Sequence, residues 1–208
     1  MCRSTSQKTI VLLKPTEGNT LYPIFLKLNK LDTLIIGGGN VGLEKVSFIL
    51  KNSPDAKITM ISKDFLPEVI THVKGFNVVL IEKSFEEQDL DNRDIVICAT
   101  DDYELHKKIV ILTKESRTLV NVADTPELCD FYLGSIVSRG DLKIAISTNG
   151  KSPTLGKRIR QYLEDALPNN TQEVIESLNE FRNSLKGDFK SKVEALNEAT
   201  KKLSDRKD

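Results

Sequence analysis

An apolar run rich in β-branched residues, Leu34-Ile35-Ile36, stops at three successive glycines, Gly37, Gly38 and Gly39. A helix-compatible segment, residues 41–51, begins at once, ends near Asn52-Ser53-Pro54, and is followed by a second apolar run at 57–61. Strand, tight turn, helix and strand make a βαβ unit. Gly37, Gly39 and Gly42 have the spacing G-x-G-x-x-G, in which the first glycine turns the chain and the second admits a pyrophosphate. The third lets helix and strand pack closely. Free N–H groups at the helix start, around Asn40 and Val41, would hold the phosphates with help from the helix dipole. A glycine-rich turn occurs in many α/β proteins, so the spacing alone is a weak signal; its place between strand and helix points to dinucleotide binding.

Further along, apolar strands are expected at 76–82, 94–99 and 118–122, with helices around 65–73 and 103–114 between them, which extends the unit into a parallel Rossmann-like sheet. Ligands in such folds bind at the carboxyl ends of the strands. The second strand ends in Ser62-Lys63-Asp64. Asp64 is placed to take the ribose hydroxyls of NAD, whereas Ser62 or Lys63 would accommodate a 2′-phosphate. The strand at 94–99 delivers Thr100, Asp101 and Asp102, one aspartate of which caps the next helix while the other faces the pocket. Asp124 emerges after the fifth strand, where a lone aspartate is usually a turn or cap residue. A β-hairpin at 21–32 is expected to feed the sheet, and residues 1–20 read as an N-terminal extension.

From Phe131 the pattern changes. Two strand-like segments flank Arg139-Gly140-Asp141, a turn sequence, and read as an antiparallel hairpin that needs a partner to cover it. Ser152 is the expected N-cap and Pro153 the first residue of a helix carrying Lys157, Arg158 and Arg160. With Lys151 these cations could receive a polyanion, although a few basic residues on one helix are usually a solvated face. Val174, Leu178, Phe181 and Leu185, then Phe189, Val193 and Leu196, form apolar stripes expected to pack between helices. The organisation expected is an extension at 1–20, a Rossmann domain at 21–130, a dimerisation hairpin at 131–152 and a helical domain at 153–208.

At 208 residues the chain has room for one full domain and a smaller appendage. Thirty Lys and Arg balance thirty Asp and Glu, so global charge argues for neither a nucleic-acid nor a membrane partner. No apolar run approaches the roughly 20 residues that span a bilayer, and the run at 10–13 is too short for a signal core; a cytoplasmic protein is expected. Cys2, Cys98 and Cys129 are too few and scattered for a disulfide framework or a zinc site. Cys98 reads as a small core side chain, while Cys129 lies among polar residues near a candidate site.

The residues Gly37-Gly38-Gly39-Asn40-Val41, Ala99-Thr100-Asp101-Asp102, Asn121-Val122-Ala123-Asp124, Cys129-Asp130-Phe131 and above all 145–153, Ala-Ile-Ser-Thr-Asn-Gly-Lys-Ser-Pro, resemble the precorrin-2 dehydrogenase / sirohydrochlorin ferrochelatase family of the sirohaem-synthase N-terminal type. The resemblance runs from about residue 22 to about residue 168. It implies a Rossmann domain with a small β-containing dimerisation domain and a helical C-terminal domain, in a homodimer with its site between domains. It implies oxidation of precorrin-2 to sirohydrochlorin with NAD, and in some members insertion of ferrous iron as a second reaction. Asp124 matches the family's important aspartate, and the expected role is that of a base. The cofactor would meet Gly37, Gly39, Asn40, Val41, Gly42, Ser62, Lys63, Asp64, Thr100 and Asp101. The substrate's carboxylates would meet Thr148, Asn149, Lys151, Ser152, Lys157, Arg158 and Arg160. The dehydrogenation needs no metal, His106 is expected to be a surface or core histidine, and no methyltransferase module is expected within these 208 residues. An NAD-binding sensor without catalysis is the alternative from another class.

Overall fold

The computed structural model of the chain describes residues 18–204. Most of the expected N-terminal extension, Cys2 included, lies outside the described residues. Strands β1 (Thr33–Ile36), β2 (Ile58–Ser62), β3 (Val78–Glu82), β4 (Ile95–Cys98) and β5 (Leu119–Val122) form one parallel sheet in the order β3-β2-β1-β4-β5. Ile36 stands level with Ile61 on one side and Cys98 on the other, so the carboxyl ends of the central strands share one edge. Helices α1 (Asn40–Asn52), α2 (Pro67–His72) and α3 (Tyr103–Ser116) make the crossovers.

Side chains alternate between the two faces of a strand, and here both faces are dry. Ile35, Ile95 and Ile97 join Val46, Ile49 and Leu50 of α1 and Val69 of α2 in one core layer. Leu34, Ile36, Val96 and Cys98 point the other way, into a layer with Ile109 and Val110 of α3. Complete burial of one such aliphatic side chain contributes about 1.5–3 kcal/mol, so the doubly covered strands carry much of the stability. Cys98 lies in that second layer as a small apolar side chain, and burial pushes its thiol up to about 12.

Beyond the sheet, β6 (Ser135–Arg139) and β7 (Leu142–Ile146) pair antiparallel around Gly140, whose φ of 58° makes the tight turn. Helix α4 (Pro153–Ala166) lies on this hairpin, with Gly156 buried close to the Ser135 side chain. Lys143 of β7 donates to the carbonyl of Asn52 at the end of α1, tying hairpin to sheet. Helices α5 (Thr171–Ser184) and α6 (Phe189–Ser204) follow.

Two expectations are corrected. Residues 21–32 form no hairpin: 19–27 have no regular structure, and only a turn closed by Lys30 N–H on the Lys27 carbonyl precedes β1. Alternation at 24–28 is too short, and no second strand pairs with it among the described residues; instead Leu28 accepts a hydrogen bond from Lys57 N–H and packs on the core. The stripes of α5 and α6 are not a buried core either, since Val174, Phe181, Phe189 and Val193 remain exposed. Two helices alone cannot enclose both of their apolar faces.

Candidate active site

The order β3-β2-β1-β4-β5 reverses direction between β1 and β4, which opens a crevice at the carboxyl ends of those strands. Gly37 and Ala99 close its floor. Ala99 N–H donates to the Ile36 carbonyl at 2.8 Å, and a Cβ on Gly37, where φ is 124°, would drive into the Ala99 carbonyl. A Cβ on Gly42 would likewise strike the Gly37 carbonyl, so α1 starts hard against the turn. Gly39 differs: it faces open space. It is also the N-cap of α1, with no side chain capping the helix and no acidic residue in its first turn. Open backbone N–H groups at a positive helix end, beside a glycine with space above it, fit a dinucleotide pyrophosphate.

The end of β2 borders the same turn. Ser62, Lys63 and Asp64 stand beside Gly38, whose added Cβ would meet the Asp64 carbonyl, the Phe65 ring and the Ser62 side chain. Leu66 N–H donates to the Gly38 carbonyl at 3.0 Å. Lys63 and Asp64 are exposed, Ser62 half-buried.

After β4, Asp102 is the residue that caps α3, accepting from Leu105 N–H at 3.0 Å. Asp101 is exposed beside it. Thr100 is held from behind: its hydroxyl is 2.9 Å from Nε2 of His106. His106 is therefore a core histidine with a polar partner at the crevice. Burial keeps its imidazole below the usual 6.5, against the pull of Asp102 and Asp101.

Asp124 follows the end of β5, next to β4, and is exposed. Its φ of 57° is a left-handed conformation that aspartate tolerates better than most residues. Thr125 N–H reaches back to the Val122 carbonyl at 3.4 Å, so the aspartate rides on a tight turn. The crossover toward the hairpin then folds along β5. Asn121, buried, donates to the Phe131 carbonyl at 2.8 Å. Cys129 lies with its thiol against Val122.

Strands β1, β4 and β5 thus bring Gly37, Thr100 and Asp124 to one edge, whereas the basic residues are carried by the β7–α4 loop and by helix α4, which packs on the hairpin. The loop between β7 and α4 puts Asn149 (φ 55°) and Gly150 (φ 73°) in succession, and the Thr148 hydroxyl accepts from Ser152 N–H at 3.1 Å. Ser152 caps α4 as expected, accepting from Leu155 N–H at 3.2 Å. Arg160 is engaged by Glu164 through two contacts of 2.7 and 2.9 Å, and Arg158 by Gln161. Lys151 and Lys157 are exposed, with no ion-pair partner among the described residues. Also among the described residues, no group of three or more His, Cys, Asp or Glu could hold a metal ion, and no helix is long and apolar enough to cross a membrane.

Sequence reasoning gave Gly38, His106 and the Asn121–Cys129 pair no role at this edge, although it placed Cys129 near a candidate site. A third consecutive glycine outside the G-x-G-x-x-G positions was one available signal, and an asparagine inside an apolar strand was another. Nothing in the spacing of His106 distinguished it.

The chain matches the family model described as putative NAD(P)-binding over residues 24–135, and that of the sirohaem biosynthesis protein central region over residues 139–166. It is 35% identical over 167 residues to a siroheme synthase of Ruthia magnifica subsp. Calyptogena magnifica, covering 80% of this chain and 35% of that protein. A siroheme synthase of Thioalkalivibrio sulfidiphilus is 36% identical over 147 residues, covering 71% of this chain and 30% of that protein. The chain spans about a third of the length of these relatives. A solved structure of SirC, precorrin-2 dehydrogenase, superposes with a TM-score of 0.69 at 28% identity, covering 88% of this chain and 93% of that one.

Proposed function

Because the chain belongs to the putative NAD(P)-binding family in its sirohaem-biosynthesis form, we propose that it oxidises precorrin-2 to sirohydrochlorin with NAD. The observation that carries the reading is the juxtaposition at one sheet edge of an open glycine at a helix N-terminus, Gly39, with Thr100 and Asp124 on the neighbouring strand ends.

Bound NAD supplies the acceptor for the hydride that leaves the reduced tetrapyrrole. The backbone of Gly37, Gly39, Asn40, Val41 and Gly42 holds the pyrophosphate. Ser62, Lys63 and Asp64 border the adenosine ribose, and the exposed Asp64 carboxylate favours free ribose hydroxyls over a 2′-phosphate. Thr100 and Asp101 border the nicotinamide half. Asp124 takes the ring proton lost as the hydride leaves for the acceptor that NAD would supply, and the carboxyl returns that proton to water, so one hydride and one proton are accounted for. On this reading the residues hold two reactants in line and move one proton.

The substrate's carboxylates are the natural partners of Lys151 and Lys157. Arg158 gives up its exposed contact with Gln161 at small cost, while Arg160 must leave a half-buried pair with Glu164 to reach substrate. Thr148, Asn149 and Ser152 shape the loop that presents Lys151. The site is completed in a homodimer: Tyr22 and Phe25, 87% and 68% exposed, lie in an apolar segment that the other described residues do not cover, and among the described residues the β6–β7 ribbon has both edges open. The free thiols of Cys98 and Cys129 suit a reducing cytoplasm. The parts of the chain are read as a Rossmann domain ending near residue 130, a dimerisation hairpin region and a helical domain.

The test is absorbance-monitored oxidation of precorrin-2 by the purified chain with NAD or NADP. NADH appearing in step with sirohydrochlorin is expected. Tight NAD binding without turnover of the tetrapyrrole would overturn the enzymatic reading in favour of a sensor. Addition of ferrous iron and sirohydrochlorin without NAD tests iron insertion separately.

A further inference from the structure

We propose that Cys129 is a positioning residue for Asp124, its thiol clamping the turn at 122–125 that carries the aspartate. The proposal rests on the reading of Asp124 as the base and adds how that base is held.

Strand β5 is an edge strand, with β4 on one side only. Its odd-numbered residues face β4: Leu119 N–H donates to the Asp94 carbonyl and Ala123 N–H to the Cys98 carbonyl. Val120 and Val122 face the open side, where a next strand would stand. The crossover supplies that strand's bonds one residue at a time. Asp130 serves Val120 in both directions, its carboxylate accepting from Val120 N–H at 3.0 Å and its own N–H donating to the Val120 carbonyl at 2.8 Å. Cys129 does the same for Val122 with a sulfur atom: Val122 N–H donates to Sγ at 3.2 Å, and the thiol donates back to the Val122 carbonyl at 3.2 Å.

That carbonyl is also the one that closes the turn with Thr125 N–H, and the Thr125 carbonyl lies 3.5 Å from the same sulfur. The thiol therefore touches both ends of the four-residue turn in whose third position Asp124 sits at a positive φ. Asn121 donates to the sulfur at 3.5 Å as well as to the Phe131 carbonyl, which fixes the thiol's own place. A group that donates and accepts at one point is required; burial keeps the thiol protonated, with its proton available for donation. Serine offers the same donor and acceptor on a slightly shorter arm, while alanine offers neither.

The experiment uses the full chain with Cys129→Ala, Cys129→Ser, Asp124→Ala and the Asp124→Ala/Cys129→Ala pair. Turnover of precorrin-2, KM for NAD and hydrogen exchange at the Val122 amide are measured. Cys129→Ala is expected to lower kcat about tenfold with KM for NAD unchanged, because a displaced catalytic group costs rate and leaves cofactor binding intact. Cys129→Ser recovers most of the loss. Adding Cys129→Ala to Asp124→Ala costs nothing more, since the thiol acts through the carboxylate. Val122 exchange quickens in the alanine variant. Unchanged kcat, a loss fully additive to that of Asp124→Ala, or unaltered Val122 exchange would each overturn the proposal. Wild-type turnover in Asp124→Ala would sink the reading of Asp124 and the positioning role with it, while faster Val122 exchange would still record the clamp.

Discussion

The hydroxyl of Thr100 lies 2.9 Å from Nε2 of His106, a histidine only 4% exposed, six residues further along the chain. The bond spans the β4–α3 loop and ties the crevice wall to the core-facing side of the first turn of α3.

This pair makes stability depend on pH. Burial lowers the His106 pKa in the folded chain, so below 6.5 the unfolded chain takes up this proton first. Stability from this group is complete above 6.5 and is lost as pH falls from there toward the lowered folded-state value, because the unfolded state then binds more protons. Urea unfolding at several pH values should show a slope between pH 7 and 5 that is reduced in His106→Gln; an identical slope in the variant would count against the assignment.

Gly37 and Gly39 should behave oppositely when replaced by alanine. At Gly37 a Cβ meets the Ala99 carbonyl at a φ of 124°, so Gly37→Ala should cost about 3 kcal/mol of stability. At Gly39 a Cβ meets nothing within the protein. Gly39→Ala should melt within about 2 °C of the parent yet bind NAD about tenfold more weakly, since the added methyl occupies the approach of the pyrophosphate. Thermal melts and calorimetric titration with NAD separate the two.

Asp124→Asn keeps a side chain that accepts a positive φ and removes the carboxylate. The variant should fold and bind NAD normally while kcat falls about a hundredfold or more. Normal turnover in Asp124→Asn would rule out the base.

Charge reversal at Lys157 should raise KM for the tetrapyrrole about tenfold, leaving KM for NAD unchanged, because the residue is far from the glycine turn in the chain and exposed on α4. Raised salt should have the same effect on the parent protein.

On the proposed homodimer reading, the parent chain should sediment as a dimer at micromolar concentration and Phe25→Asp as a monomer with the fold of the sheet retained; a monomeric parent would overturn that reading. Phe25 is exposed and joins neither core layer, so a charge there disrupts no packing among the described residues.

The glycine turn was legible because each of its constraints is local. Gly37 and Gly42 are glycines for reasons set within six residues or by the adjacent strand, and the order of strands and helices followed from apolar runs broken by Pro54 and the polar stretch at 86–93. The N-cap Ser152 was legible for the same reason, since it serves an amide three residues on, whereas the sequence narrowed the cap of α3 only to Asp101 or Asp102 and the structure chose Asp102. The supposed hairpin at 21–32 failed where alternation was read without a pairing partner. The exposed stripe of α5 and α6 failed where periodicity was read as burial.

The sequence by itself determined a doubly covered parallel sheet with a dinucleotide turn at its centre, because hydrophobic period and glycine spacing record what each residue's near neighbours must be. Only the tertiary structure decided that His106 stands behind Thr100, that Gly38 makes room for residues 62–65, and that the Cys129 thiol takes the place of a missing strand beside Val122. Those pairings depend on how separate segments meet across the sheet, and such meetings leave no period in the chain for a reader to find.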